Sequence, residues 1–160
     1  TKKKHIFVKY KQNYFKIPTF GKIAKIIDFG RATFRIDDKL FFSDVFKKYG
    51  DAEGQYSYPY NNNLKKCKIL PNKSFDLARL STTIVEYFEN DSELYNLMKS
   101  WATDRYGNSL IYCHDDFDLY NNIALNVCNP IPKDQLNKKV FSEFRIENSK
   151  VSKEQFVYIY

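Results

Sequence analysis

The chain has 160 residues, 43% hydrophobic and 28% charged, with a formal net charge of +7. That length suits one domain with room for a core, and that composition excludes bulk disorder and a collagen-like repeat. No apolar run approaches the ~18 residues of a membrane-crossing helix, so no membrane partner is expected.

The amino end, Thr1-Lys2-Lys3-Lys4-His5, holds neither a Met nor an apolar signal core. The sequence therefore reads as a piece of a longer protein without a secretory address. Cys67, Cys113 and Cys128 have no metal spacing and read as reduced thiols of a reducing compartment. Residues 1–25 hold eight Lys and no acid, and the rest sums to −1. Charge confined to one terminal segment weighs against nucleic acid as a partner, which usually meets a basic stripe across the folded body. Lys, Asn, Ile, Tyr and Phe supply 75 of the 160 residues. All five have codons written in A and T alone, so the Asn61-Asn62-Asn63 run reads as codon drift.

In chain order, Ile6-Phe7-Val8 and Tyr14-Phe15-Lys16-Ile17 predict two short strands, with Pro18-Thr19-Phe20-Gly21 as a turn. The aromatics of this basic segment could stack single-stranded bases, but the favoured reading packs them on the body of the domain. Ile23–Ile27 predicts an apolar strand that stops at Asp28-Phe29-Gly30. A second hairpin pairs Thr33–Ile36 with Lys39–Phe42 around Asp37-Asp38. Residues 44–73 have no period and contain Gly50, Gly54, Pro59 and Pro71, the mark of a long irregular loop.

From Ser74 the period becomes helical. Leu77, Leu80, Ile84, Val85 and Phe88 predict a helix over 74–90 with Leu77, Leu80, Ile84 and Val85 in the core. Leu94, Leu97, Met98 and Trp101 mark a second helix capped by Ser92, with Trp101 in the core. Leu119, Ile123, Ala124 and Val127 mark a third, capped by Asp116 and stopped at Asn129-Pro130. A fourth opens near Pro132 and is expected to bury Leu136, Val140, Phe141 and Phe144. The apolar tail Glu154–Tyr160 has no evident partner. His114-Asp115-Asp116 beside Cys113 lacks a second His at ligand spacing and reads as a helix start with acids on its dipole. The fold class predicted is α+β, mainly helical with β-hairpins in front.

The sharpest chemical signal is Lys25-Ile26-Ile27-Asp28-Phe29-Gly30. A carboxylate released from an apolar strand into a flexible loop is placed to hold Mg²⁺, a hard cation that needs oxygen ligands. The bland reading is an Asp capping a turn. Three stretches in fixed order add to the triplet: Ile17–Lys22 leading into Lys25–Ala32, then Gly50–Tyr56, then Ser74–Leu80. With these, residues 7–146 resemble the carboxyl-terminal lobe of the protein kinase-like proteins of giant nucleocytoplasmic DNA viruses, within the eukaryotic-type protein kinase superfamily.

The resemblance implies a single partial domain, 1–160. In it, 1–27 is a β-hairpin and insertion region, 28–73 the metal-binding triplet and activation segment, 74–146 the helical lobe and 147–160 a tail. It implies that Asp28 is the catalytic Mg²⁺ ligand of an ATP site. Ile27 would line the adenine side, Phe29 and Gly30 would switch the triplet between active and inactive positions, and Asp76 would brace the catalytic loop. Thr33, Ser43 and Ser57 are the Ser and Thr hydroxyls of the segment 31–60 open to regulatory phosphorylation. The implied activity is transfer of the ATP γ-phosphoryl group to a Ser or Thr of a protein substrate, in host cytoplasm or virion. The missing nucleotide-binding lobe of the parent chain would be the partner.

The departures are large. No Gly-rich loop, no strand-borne Lys and no catalytic-loop His-x-Asp-x-x-x-x-Asn precede Asp28, since Phe7 and Gln12 stand where His5 would need Asp and Asn. Ser57-Tyr58-Pro59-Tyr60 replaces the usual Ala-Pro-Glu, which leaves Arg145 without its expected Glu. The rival reading is a pseudokinase or virion interaction module without catalysis.

Overall fold

The computed structural model describes residues 4–53, 72–113 and 115–147, and the backbone of 156–159. It is a mixed α+β chain that divides into two compact units, 1–27 with 136–160, and 28–135.

The first unit is a four-stranded sheet of order β5-β2-β1-β6. β1 (His5–Tyr10) and β2 (Asn13–Pro18) form the predicted antiparallel hairpin, with Phe7 opposite Lys16 and Lys9 opposite Tyr14. Alternation along each strand turns Phe15 into the core at 4% exposure. The 3₁₀ segment Lys139–Phe144 packs against β2, and β5 (Arg145–Ile146) pairs with it. The tail finds its partner here, as β6 (Phe156–Ile159) lies parallel to β1. The turn after β2 is the one predicted. Phe20 and Gly21 take φ of 47° and 78°, and the Lys22 N–H donates to the Thr19 carbonyl at 2.8 Å.

Two expectations fail at the edges of this unit. Ile23–Ile27 is not a strand, and its side chains face water, with Ile26 85% exposed. Apolar β-formers are not enough, because a strand exists only where a neighbour takes its backbone hydrogen bonds, and among the described residues none does. The fourth helix also breaks. α4 covers only Pro132–Gln135, Lys138 is extended, and Leu136, Val140, Phe141 and Phe144 are half-buried. Arg145 takes neighbours in place of a Glu, its Nη2 donating to the Leu136 carbonyl and Asn137 Oδ1, both at 2.9 Å.

The second unit opens with the other predicted hairpin, β3 (Thr33–Ile36) and β4 (Lys39–Phe42). Asp37 and Asp38 have φ of 46° and 61°, the paired left-handed residues of a tight hairpin turn. Phe34 and Phe41 stack across it, ring centroids 5.2 Å apart. Beyond it the chain folds back on Val45. A Cβ on Gly50 would lie 2.3 Å from the Val45 carbonyl oxygen, so only glycine fits, and Ala52 N–H donates to that oxygen at 2.9 Å. Ala52 is thereby buried with Phe46 and Ala124.

α1 (Phe75–Ile84) continues as a 3₁₀ turn to Tyr87, α2 is Glu93–Trp101 and α3 is Asp116–Asn126. Ser92 caps α2 as predicted, Oγ accepting from Tyr95 N–H at 3.1 Å, while α3 is capped by Asp115, one residue before the expected Asp116. Ile123, with Ala78, Leu110, Leu119 and Val127, forms the main core. Trp101 is buried, and its indole N–H donates to Gln135 Oε1 at 2.8 Å.

The core face of α1 is not the expected one. Val85 is buried, Leu77 and Ile84 are half-buried, and Leu80 is 46% exposed. The buried positions of the helix are Ala78 and Ser81, whose hydroxyl donates to the Met98 carbonyl. Small residues let α1 approach its neighbours closely, and that contact turns Leu80 outward. Among the described residues no helix is long and apolar enough to cross a membrane.

Two measurements check this account. Ile123→Ala should lower urea-unfolding stability by about 2–5 kcal/mol, and Leu80→Ala by no more than about 0.5–1 kcal/mol. Asp104 gives a pH signature. Burial pushes its carboxyl up, but the Asn108 side chain and the backbone N–H groups of Asn108, Tyr106 and Gly107 push it down and win. A carboxyl held below its ordinary value stabilises the fold above that value. The contribution fades as pH falls through the depressed pKa. Asp104→Asn should therefore flatten the acid side of the stability–pH curve below about pH 4.

Candidate functional site

Asp28 sits at the first residue of the second unit with φ 60° and ψ 77°. A left-handed non-glycine residue costs of order 1–3 kcal/mol, although Asp tolerates it better than most because its side chain can bond locally. Here Oδ1 accepts from Gly30 N–H at 3.3 Å, capping a 3₁₀ turn over Phe29–Arg31 that the Ala32 N–H closes onto the Phe29 carbonyl at 2.9 Å. A Cβ on Gly30 would stand 3.2 Å from that same Oδ1. The triplet is thus a local device. Gly30 leaves room for the carboxylate to fold back, and the bond takes one oxygen while the other stays open. Asp28 is exposed, as are Ile27 at 78% and Phe29 at 68%.

Mg²⁺ is commonly held by one or two carboxylates with water and phosphate oxygens, and the open oxygen of Asp28 fits that use. Among the described residues no group of three His, Cys, Asp or Glu could form a metal cage. A metal at Asp28 would take its remaining ligands from water, from phosphate oxygens or from groups outside the described residues.

The other sequence-predicted positions are scattered. Asp76, implied to brace the catalytic loop, is exposed in the first turn of α1 and takes no hydrogen bond from a described residue. Thr33 pairs with Phe42 in the hairpin, the Ser43 hydroxyl accepts from Val45 N–H at 3.3 Å, and Ser57 lies outside the described residues. Cys113 and Cys128 are free thiols, and Cys67 also lies outside the described residues.

The structure assembles one feature that the sequence did not announce. A cavity of about 320 Å³ opens between the turn at Asp51 and the first two turns of α3, lined by Arg31, Asp51, Asp116, Phe117, Tyr120 and Asn121. Tyr120 organises it. The Arg31 and Arg79 guanidinium carbons lie 5.9 and 5.4 Å from its ring centroid, Arg79 Nε donates to its hydroxyl at 3.3 Å, and Phe75 stacks on it at 5.7 Å. Asn121 Oδ1 is buried there with no hydrogen-bond partner among the described residues. Gly50-Asp51-Ala52 was visible beforehand as a stretch of the resemblance, without a role. Asn121 stands inside a helical pattern where nothing singles it out.

Comparison with protein-family models, curated proteins and solved structures finds no match for this chain.

An unsatisfied buried acceptor costs about 1–3 kcal/mol, so an apolar side chain of the same shape should be neutral or better. Asn121→Leu is expected to raise urea-unfolding stability by up to about 1 kcal/mol, and a loss of more than that would mean that the amide oxygen has a partner.

Proposed function

We propose that this chain is the carboxyl-terminal lobe of a viral protein kinase-like protein, and that Asp28 is its Mg²⁺ ligand for ATP. The observation that carries the reading is the Asp28 carboxylate, exposed, with one oxygen committed to Gly30 N–H and the other open. Further support comes from the order of the three stretches: the Gly50–Ala52 turn and the start of α1 both belong to the second unit that Asp28 opens. Mg²⁺, when bound, would be held by the Asp28 carboxylate and would supply the positive charge that offsets the phosphates. The residues of this chain would supply position. The left-handed backbone at Asp28 aims the carboxylate, Gly30 fixes its rotamer, and Phe29 is free to pack or withdraw.

One observation weighs against the reading. An enclosed central helix keeps its apolar residues from water, whereas Leu80 of α1 is 46% exposed and Ile84 is half-buried. The second reading is an interaction module without turnover; a catalytic-loop Asp and Asn and a strand-borne Lys in the parent chain would favour the enzyme, and a parent that lacks them would favour the module.

The 160 residues alone should show no Mg²⁺-dependent phosphotransfer. In a parent that supplies the nucleotide lobe and catalytic loop, Asp28→Asn should abolish turnover and leave the thermal melt in place. Asn accepts the left-handed conformation and keeps the acceptor for Gly30 N–H, so stability should move by no more than about 0.5 kcal/mol. A parent whose Asp28→Asn form keeps full phosphotransfer removes Asp28 from the site. A folded parent that neither binds Mg²⁺-ATP nor transfers phosphate favours the module.

A further inference from the structure

The cavity beside α3 is lined by charges of both signs that do not meet. Arg31 comes from the 3₁₀ turn after Asp28, Asp51 from the turn that follows Gly50, and Asp116 from the first turn of α3. All three are exposed, and among the described residues neither carboxylate nor the guanidinium has an ion-pair partner. Arg31 leans instead over the Tyr120 ring, 5.9 Å from its centroid, while Arg79 holds the Tyr120 hydroxyl.

Opposite charges around one space of about 320 Å³ attract each other, yet separate elements hold these apart. A ligand that carries both signs satisfies them together. A purely anionic ligand would face two carboxylates, with Asp115 and Asp118 at the same helix start, and a purely cationic one would face the guanidinium.

Asn121 adds a directional need, because its Oδ1 is buried without a donor. A buried orphan acceptor calls for an explanation, and a ligand that supplies the donor is one. The last torsion of an Asn side chain is soft, so the amide can turn this oxygen toward a ligand N–H. An ammonium has three such donors to share among Asp51, Asp116 and Asn121, and a carboxylate fits the planar fork of Arg31. Phe117, 56% exposed, and the buried Ala52 add apolar wall, which suits an uncharged side chain. The volume lies at the small end for ligand sites and suits one small molecule.

We propose that this cavity binds a free α-amino acid with an uncharged side chain, its carboxylate on Arg31 and its ammonium among Asp51, Asp116 and Asn121. The inference does not depend on the kinase reading, and either can fail without the other.

The test is titration of the isotope-labelled 160-residue chain with each protein amino acid in turn, followed by amide chemical shifts. Titration to about 10 mM defines a Kd of about 1 mM well. At least one amino acid with an uncharged side chain should shift the amides of residues 51–52 and 116–121. Its N-acetyl derivative lacks the ammonium and its carboxamide lacks the carboxylate, so each should bind about tenfold more weakly or worse. Arg31→Gln should weaken binding about tenfold, and Asn121→Leu should do the same while its thermal melt holds or rises. Melts verify each variant, and the two derivatives probe both charges without any substitution. Three outcomes overturn the proposal. One is that no uncharged amino acid shifts those amides. Another is that the N-acetyl or carboxamide form binds as tightly as its parent. The third is an unchanged affinity in folded Asn121→Leu.

Discussion

The second unit hangs on how the carbonyl end of α3 is satisfied. A helix leaves its last four carbonyls without helical donors, and here side chains from distant segments supply them. Asn72 answers from one side, its Nδ2 donating to the carbonyls of Ile123 at 3.0 Å, Ala124 at 3.3 Å and Val127 at 2.6 Å. Its Oδ1 accepts from Ser74 N–H at 2.9 Å, so one side chain joins the end of α3 to the beginning of α1. Arg105 answers from the other side, reaching the Leu125 carbonyl at 2.9 Å and the Asn126 carbonyl through both its backbone N–H and Nε, and places a cation where the helix dipole is negative. With α1 and α3 tied there, Phe75 falls on Tyr120, Arg79 reaches the Tyr120 hydroxyl, and the cavity beside Asn121 takes its shape.

The first unit is organised differently. Among the described residues its buried apolar side chain is Phe15, and a strand from the far end of the chain lies beside β1. A unit of net +10 bears a repulsive cost for compactness. The second unit, of net −3, carries the proposed metal ligand.

Both hairpins were legible because local chemistry decides them: β-formers in alternation, and Asp37-Asp38 in a turn whose left-handed residues Asp tolerates. The Ser92 cap was legible for the same reason. What failed depends on partners distant in sequence. The run Ile23–Ile27 reads as a strand yet has no described neighbour to pair with, and the tail that seemed unattached pairs with β1. The buried face of α1 was misread because apolar bulk pointed to Leu80, whereas close helix packing selected Ala78 and Ser81. For the candidate site, the Asp28 triplet and its use as the cap of a turn were both legible, whereas the left-handed backbone at Asp28 was not. Asn72, Arg105 and Asn121 carried no signal, because a polar residue in a loop or helix means nothing until its distant partners are known.

The claim that most needs testing is that the open carboxylate oxygen of Asp28 holds the nucleotide-bound metal. Manganese can replace Mg²⁺ in many such sites and broadens nearby amide resonances steeply with distance. In the parent protein with Mn²⁺ and ATP, the amides of Asp28, Phe29 and Gly30 should broaden first, and Asp28→Asn should remove the effect. Broadening that instead centres on Asp51 and Asp116, or that survives Asp28→Asn unchanged, would contradict the account.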